Sequence, residues 1–273
     1  MGKTKKLKER GTRTCTKTWT KITKATKITK TIRTKREVAE MMGADPMTKP
    51  AHIDLKIRAA LGACPLLERI GDRFTSKLAG ASRLRPLQRG EMLFLQGDRS
   101  CDLYIVATGR IRLYRASPEG AEKTLAVLSD GDVFGDLSAI DGLGRSAAAE
   151  AMTDSEVVQV RPGPFAMCLE ESPTLAVRLI RRLAEMLRET DESLDLLAFA
   201  DARTRIASAL LKSSTPSGRV TELTHRDIAA IASTARETVS RVIADLMDAG
   251  VLGADGRDYY ILDPKALRDS AKN

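Results

Sequence analysis

One long apolar stripe, from about Pro173 to Phe199, most constrains what this chain can fold into. Apolar residues recur every three, then four positions, which is the a/d spacing of a coiled-coil seam. Such a helix would run roughly 40 Å at about 1.5 Å per residue, and Pro173 is tolerated in its first turn. We expect this seam to pair with a second copy and a second stripe, spaced by seven, to face a sensor domain of the same chain. The seam comprises Ala176, Leu179, Leu183, Met186, Thr190, Ser193 and Leu197, and the second stripe Ile180, Leu187 and Leu194.

Length and charge bound the rest of the architecture. A chain of 273 residues suggests about two domains. No apolar run approaches the roughly 20 residues that a transmembrane helix needs, so we expect no membrane partner. The four cysteines are widely spaced, and free thiols fit a reducing cytosol, so we expect a cytoplasmic protein. The net charge of +9 is concentrated in residues 1–50, where 15 Lys/Arg against 4 Asp/Glu give +11 and leave −2 for the remainder. The basicity therefore belongs to the N-terminal tail.

The tail itself, rich in Thr and Lys, has no core-forming pattern and is predicted to be disordered. Three explanations are open: a nucleic-acid-binding arm, a targeting peptide, or upstream sequence preceding a true start at Met41, Met42 or Met47. We favour the third, because the apolar pattern that begins near Ile53 does not need the tail.

The residue types that carry metal or acid–base chemistry are sparse. The four cysteines are widely spaced without a C-x-x-C pair, and only His52 and His225 are histidines. No zinc or iron–sulfur framework is indicated, and no Ser/His/Asp or paired-carboxylate constellation appears. We therefore expect no cofactor and no enzyme activity, and a redox or gas sensor is disfavoured.

Between the tail and the long stripe, the pattern changes from helix to short strands. Residues 53–80 carry apolar residues spaced for one helical face. From Leu84 onward, short β-type runs alternate with glycine-containing turns, which is typical of a small β-roll or barrel. The candidate strands are Met92–Leu95, Leu103–Ala107, Arg110–Arg115, Lys123–Leu128 and Glu156–Val160.

Several motifs in this region resemble the cyclic-nucleotide-binding domain of the cyclic-AMP receptor protein/FNR family. They are Gly90-Glu91, Phe94 with Gly97-Asp98, Leu103-Tyr104-Ile105 with Gly109, the run Gly131–Leu137, and Arg145-Ser146-Ala147. With the later segments, the resemblance covers about residues 53–262. It implies a ligand-responsive transcription regulator built on a β-roll.

The run Gly135-Asp136-Leu137, followed by Arg145-Ser146, resembles the family's phosphate-binding cassette. Glycine permits close backbone approach to a ligand, and arginine can grip phosphate oxygens with two charge-assisted bonds. The resemblance implies that Arg145 and Ser146 hold a cyclic phosphate and Asp136 a ribose hydroxyl. The family usually has Glu where this chain has Asp136, which shortens the reach by about 1.5 Å.

Alternatives at this site stay open. In one alternative, Arg145 is only an ion-pair partner of Asp136 or Asp141 in a pocket that has lost its ligand. The resemblance also implies that Thr190 contacts the adenine base of the nucleotide. Asp191 stands where the cyclic-AMP receptor protein has a serine that is contributed by the partner chain. Thr190 and Ser193 can equally be polar breaks that fix the register of the seam.

The C-terminal segment contains a pattern typical of a helix-turn-helix. Asp201 can cap a helix over Ala202–Lys212, and the run 224–227 resembles a capping box that opens a helix over Asp227–Ala232. After a turn at residues 233–235, the string Arg-Glu-Thr-Val-Ser-Arg resembles the family's recognition helix. We expect Arg236, Glu237, Ser240 and Arg241 to point outward, Thr224 to contact a phosphate, and residues 250–262 to form a β-hairpin wing. The expected DNA-binding residues are Thr224, Thr234, Arg236, Glu237, Thr238, Ser240 and Arg241.

Together these features predict an α+β chain with a β-roll sensor domain, a long dimerisation helix and a C-terminal winged helix-turn-helix. The expected boundaries are 1–50 for the tail, 51–172 for the sensor, 173–200 for the helix and hinge, and 201–273 for the DNA-binding domain. The predicted function is a homodimeric regulator that binds a palindromic operator in double-stranded DNA, with RNA polymerase as a further partner. The effector is expected to be a cyclic nucleotide such as cAMP; the alternative is the same regulator with another effector or none.

Overall fold

The structure is a computed structural model, and it describes residues 51–271 except residues 119 and 257. The predictions for the N-terminal tail lie outside these residues. The described chain divides into two compact units. The first comprises residues 51–111 with Leu128–Leu179, and the second comprises Arg112–Val127 with residues 180–271.

Helices open and close the first unit. Helix α1 spans Ala51–Ala63, a 3-10 turn spans Pro65–Leu67, and α2 spans Asp72–Ala81. The prediction of one helical stretch over 53–80 is thus wrong in its continuity. Pro65 lacks the N–H that a continuing helix needs, and Gly71 adopts a φ of 91°, which an α-helix excludes. Helix α1 packs on the strands, and α2 packs on a later helix, α4 (Pro162–Glu171), which the sequence analysis missed.

The strands form two antiparallel four-stranded sheets with the orders β1-β8-β3-β6 and β2-β7-β4-β5. The five predicted strands are confirmed to within one residue at each end. Strands β1, β6 and β7 were missed: β1 contains Pro86 and β6 has only two residues. The strands are β1 (Ser82–Leu87), β2 (Met92–Phe94), β3 (Leu103–Thr108), β4 (Ile111–Ala116), β5 (Glu122–Leu128), β6 (Val133–Phe134), β7 (Ala148–Ala151) and β8 (Ser155–Val160).

The predicted long helix, α5, is confirmed over Pro173–Phe199. The two predicted stripes differ in exposure at the residues that follow. Leu179 of the expected pairing seam is buried within the single chain, whereas Ile180, Leu187 and Leu194 are 64%, 61% and 58% exposed. The packing of either stripe against a sensor domain or a second copy stays a prediction. The exposed face also keeps the three-then-four spacing of a coiled-coil seam, through Ile180, Leu183, Leu187, Thr190, Leu194 and Leu197.

The C-terminal part of the second unit is a helical cluster with a three-stranded wing, in the order β10-β11-β9. Helix α6 packs against the three later helices and supplies buried Ile206 and Leu210. Asp201 caps α6 as predicted, accepting from the Thr204 amide at 2.7 Å. The elements are α6 (Ala202–Lys212), β9 (Arg219–Val220), α7 (His225–Ala232), α8 (Arg236–Asp248), β10 (Leu252–Asp255), β11 (Asp258–Ile261) and α9 (Pro264–Ser270).

Candidate effector pocket and DNA-reading surface

Arg145 is the centre of the cassette in the first unit, and only 2% of it is exposed. Its Nε donates to the Ser100 hydroxyl at 2.9 Å, Nη1 to the Gly135 carbonyl at 3.1 Å, and Nη2 to the Asp102 carbonyl at 2.7 Å. The expected alternative, an ion pair with a carboxylate of the cassette, is wrong within the described residues. The three acceptors are uncharged, so the buried guanidinium has no direct carboxylate partner, and the charges of Asp98 and Asp102 act on it only through space.

An aromatic wall forms one side of this buried cation. The Arg145 guanidinium carbon lies 4.2 Å from the ring centroid of Phe94 and 5.3 Å from that of Tyr104. Tyr104 in turn stacks on Phe134 at 5.3 Å. The π-faces attract the cation and partly replace its lost hydration. Burial still lowers the pKa of Arg145 below its ordinary value, with Tyr104 and Asp102 acting in the opposite direction.

Gly135 is required here for two independent reasons. Its φ is 75°, in the left-handed region that favours glycine. A Cβ at this position would lie 2.5 Å from Arg145 Nη1 and 3.0 Å from the Asp102 carbonyl oxygen. Glycine is therefore what allows the guanidinium to reach the backbone at this point.

The other cassette residues follow directly in the chain but differ in exposure. Asp136 opens the short helix α3 (Asp136–Asp141), is 4% exposed, and accepts from the Leu137 amide at 3.2 Å. Leu137 is half-buried, and Ser146 is exposed next to buried Arg145. The structure thus brings Gly135, Asp136 and Arg145 together in one unit, with Ser146 at its surface.

Thr190 and Asp191 lie in the second unit, on the exposed part of α5. The Thr190 hydroxyl donates to the Met186 carbonyl at 2.8 Å, one turn earlier in the helix. Ser193 makes the equivalent bond to Glu189 at 2.7 Å. Their part in an effector site stays a prediction.

The predicted capping box at the start of α7 is confirmed. The Thr224 hydroxyl accepts from the Asp227 amide at 3.2 Å, and the Asp227 carboxylate accepts from the Thr224 amide at 2.8 Å. The same carboxylate accepts the Thr224 hydroxyl proton at 2.6 Å. Asp thus substitutes for the usual Glu of this motif. Because the hydroxyl proton is already used, the first role of Thr224 is the cap, and its phosphate contact stays a prediction.

The turn between α7 and α8 contains a residue in the left-handed conformation that is not a glycine. Ser233 has φ 50° and ψ 55°, and the Thr234 amide bonds back to the Ala229 carbonyl at 3.0 Å. The helix α8 then begins at Arg236. The predicted tight turn is therefore confirmed, and serine holds the conformation that glycine adopts at lower cost.

The outward face of α8 presents Arg236, Glu237 and Arg241 to solvent. No hydrogen bond or ion pair within the described part of the chain occupies these three side chains. Thr238 and Ser240 are only half-exposed. The expectation that Ser240 points outward is wrong, because its hydroxyl lies 2.8 Å from His225 Nδ1 and 3.1 Å from the Arg236 carbonyl. Arginine can bind guanine bidentately and glutamate can accept from cytosine, so the three exposed residues suit base reading.

Two cations that the sequence analysis missed hold the C-terminal end of α7. The Lys123 amine, on β5, donates to the Ile231 carbonyl at 2.6 Å. Arg205, on α6, donates through Nε to the Ala232 carbonyl at 2.9 Å. Cations are favourable at a helix C-terminus, where carbonyls lack partners. Burial, followed by the charges of Arg205 and Lys212, lowers the pKa of Lys123 below its ordinary value.

The described residues contain neither a cluster of metal ligands nor a membrane-spanning helix. Across 51–118, 120–256 and 258–271, no group of three or more His, Cys, Asp or Glu residues is placed to hold a metal ion. Over the same residues, no helix has the length and apolar character needed to cross a membrane.

Comparison with known proteins matches two parts of the chain to family models. Residues 84–172 match the cyclic nucleotide-binding domain, and residues 204–270 match the Crp-like helix-turn-helix domain. The second match contains the capping box, the turn and the exposed face of α8. The first contains the whole cassette.

Whole-chain relatives agree with these domain matches. The cyclic AMP receptor protein of Thermus thermophilus is 42% identical over 171 residues, which are 62% of this chain and 78% of the relative. The CRP-like cAMP-activated global transcriptional regulator of Mycobacterium tuberculosis is 30% identical over 200 residues, covering 70% and 89% of the two chains. The solved structure of FixK2 from Bradyrhizobium japonicum aligns with a TM-score of 0.66 at 26% identity, covering 70% of this chain and 98% of FixK2. The chain therefore belongs to the cyclic-AMP receptor protein/FNR family of transcription regulators, with a cyclic nucleotide-binding domain followed by a Crp-like helix-turn-helix domain.

Proposed function

We propose that this regulator is a homodimer whose DNA binding is controlled by a small anionic effector in the β-roll, a cyclic nucleotide such as cAMP. The observation that carries the proposal is the buried guanidinium of Arg145, whose hydrogen-bond acceptors are uncharged. A buried cation is costly unless a partner charge compensates it. A phosphate group supplies both the negative charge and the paired oxygens that arginine prefers.

The neighbouring cassette residues fit the remainder of a cyclic nucleotide. Ser146 is exposed beside Arg145 and offers a hydroxyl donor to a phosphate oxygen. The Asp136 carboxylate offers an acceptor for a ribose hydroxyl. Because its side chain is one methylene shorter than the family's usual Glu, a water molecule would complete that contact. The names of the two relatives, which refer to cyclic AMP, support the same effector class.

One observation favours a second candidate, a regulator without a nucleotide effector. Three of the guanidinium N–H groups of Arg145 are already satisfied by Ser100, Gly135 and Asp102. A cyclic phosphate would have to take over some of these bonds. In the second candidate, Arg145 serves only to fasten the loop at Ser100 and the strand end at Gly135 to each other.

Isothermal titration calorimetry with cAMP and cGMP separates the two candidates. The first predicts heat with the wild-type protein, none with Arg145→Ala, and weakened binding with Arg145→Lys, because lysine keeps the charge but not the two-pronged geometry. Circular dichroism of each variant checks that the fold survives. Absence of heat with either nucleotide at millimolar concentration would favour the second candidate.

The exposed seam on α5 supports the proposed homodimer. Ile180, Leu187 and Leu194 present large apolar side chains at seven-residue spacing on one helix, a pattern that a second copy of the helix would cover. Sedimentation velocity tests this: Leu187→Ala should shift the protein toward monomer at micromolar concentration. Glu189→Ala, two residues along on the same helix, is the matched control and should not. Equal behaviour of the two variants would count against this seam.

A dimer with two-fold symmetry would read an inverted repeat, with half-sites about one helical turn of DNA apart. RNA polymerase is the proposed further partner, since a regulator of this family acts at promoters. Selection from random DNA by the wild-type protein would give the operator directly. An asymmetric selected motif would contradict the dimeric reading mode.

A further inference from the structure

His225 connects three elements of the DNA-reading head. It is the first residue of α7, its Nδ1 lies 2.8 Å from the Ser240 hydroxyl on α8, and its Nε2 lies 2.7 Å from the Tyr259 hydroxyl on β11. The imidazole also stacks on the Tyr259 ring, with centroids 6.2 Å apart and planes at 19°. Both ring nitrogens are therefore in use, one toward the recognition helix and the other toward the wing.

The protons of this network can be assigned so that every group is satisfied. The Ser240 hydroxyl lies 3.1 Å from the Arg236 carbonyl and can donate its only proton there. His225 Nδ1 then carries a hydrogen and donates to the Ser240 oxygen. Nε2 is left as an acceptor, and it takes the proton of the Tyr259 hydroxyl. In this assignment the imidazole is neutral with its hydrogen on Nδ1, and each of the three side chains in the network has a hydrogen-bond partner.

This network changes the role of Ser240. A serine next to Arg241 on a recognition helix suggests direct contact with a base. Here its oxygen is committed to His225 and its proton to the Arg236 carbonyl, inside the head. The base-reading groups that remain exposed are those of Arg236, Glu237 and Arg241.

We propose that His225 is a positioning residue for DNA sequence discrimination, which sets the recognition helix against the wing through Ser240 and Tyr259. The inference rests on the proposed use of α8 in base reading. Its physical basis is that a bidentate contact to a base tolerates a displacement of only about 0.5 Å, so the supporting hydrogen bonds decide how well Arg236 and Arg241 discriminate. Phosphate contacts tolerate more displacement and contribute to every DNA sequence equally.

The chain offers a matched pair of variants for the test. Tyr259→Phe removes the hydroxyl that bonds to His225 and keeps the stacked ring. Tyr260→Phe makes the same chemical change one residue later, where no hydrogen bond to the hydroxyl occurs within the described residues. Both tyrosines lie on β11 and pair with neighbouring residues of β10. Any effect of a lost tyrosine hydroxyl on the wing alone should therefore appear in both.

The measurement is the ratio of affinities for an operator selected by the wild-type protein and for scrambled DNA, with and without cAMP. We expect Tyr259→Phe to lower this ratio about threefold to tenfold, the value of one hydrogen bond, and Tyr260→Phe to leave it unchanged. Affinity for scrambled DNA and the thermal midpoint should be equal in the two variants. His225→Phe, which removes both bonds and keeps an aromatic ring, should lower the ratio further; if it fails to fold, the tyrosine pair still decides.

Failure of this inference and failure of the proposed DNA reading give different results. If Tyr259→Phe and Tyr260→Phe discriminate as well as the wild-type protein, the role of His225 is overturned and base reading by α8 stands. If Tyr259→Phe loses stability but keeps the affinity ratio, the network is structural only, and the proposal is again overturned. If the wild-type protein itself does not discriminate between selected and scrambled DNA, the proposed DNA reading fails, and the inference fails with it.

Discussion

Replacing Gly135 by alanine should damage the cassette more than the backbone strain of that replacement explains. A Cβ at Gly135 would meet Arg145 Nη1 at 2.5 Å, so the guanidinium must move away from the Gly135 carbonyl. Gly90→Ala provides the control. Gly90 has a comparable φ of 82°, but a Cβ there meets nothing within 4 Å.

The expected cost follows from the two geometries. An alanine in the left-handed region costs about 1–2 kcal/mol of folding free energy, and both variants bear this cost. Only Gly135→Ala also breaks the bond from Arg145 Nη1 to the Gly135 carbonyl. A hydrogen bond to a charged group is worth about 1.5–3 kcal/mol. The unfolding free energy of Gly135→Ala should therefore lie below that of Gly90→Ala by about 1.5–3 kcal/mol.

Urea unfolding followed by circular dichroism measures this difference, with one transition fitted for each unit because the chain has two. The comparison should be made without nucleotide, so that the difference in unfolding free energy reports only the contact between Arg145 and the Gly135 carbonyl. Equal unfolding free energies for the two variants would refute the reasoning. Arg145 would then yield at no cost, and its contact with Gly135 would not stabilise the buried cation.

Three further predictions concern the DNA-reading head. Ser233→Gly should raise the unfolding free energy by up to about 1 kcal/mol, because it relieves the left-handed strain at φ 50°; thermal unfolding that shows a loss would contradict this. Hydrogen bonds from Thr204 lower the pKa of Asp201, so the contribution of this charged cap is complete above the unfolded pKa and is lost as pH falls through the folded value. Asp201→Asn should therefore be less stable than wild type near pH 7 and converge with it below about pH 4; a constant difference across that range would exclude the titrating cap. Arg241→Ala should cost about 1–3 kcal/mol of operator affinity and relax preference at one G·C pair, measured by titration with operator variants; a uniform loss across all variants would instead indicate a phosphate contact.

The features set by local sequence were predictable. The long helix, the capping box at Thr224 and the cap at Asp201 depend on residue types within a few positions of each other, and each lies where the sequence places it. The cassette residues were identified because the order and spacing of glycine, aspartate and arginine resemble the family's phosphate-binding cassette. The exposed face of α8 was likewise predictable from the helical spacing of its polar and apolar residues.

The features that depend on distant residues were not predictable in this way. The burial of Leu179 on α5 depends on what packs beside it, and the spacing of apolar residues alone does not contain that information. The partners of Arg145 are two backbone carbonyls and a serine up to 45 positions away, which no pairing of charges in the sequence indicates. Ser240 was expected to point outward because polar residues usually do. Its inward orientation depends on a histidine 15 positions earlier and a tyrosine on the wing.

The bond between Lys123 and Ile231 has a consequence for the order of folding. The contacts among α6, α7, α8 and α9 join residues between Ala202 and Ser270, whereas this bond spans 108 positions of the chain. The entropy lost on closing a loop grows with its length, and short-range contacts generally form faster. On refolding from denaturant, we therefore expect the four helices to assemble first and the lysine to reach the end of α7 afterwards. The rate at which protection of the Lys123 strand appears in pulsed hydrogen exchange would then lag behind that of the helices.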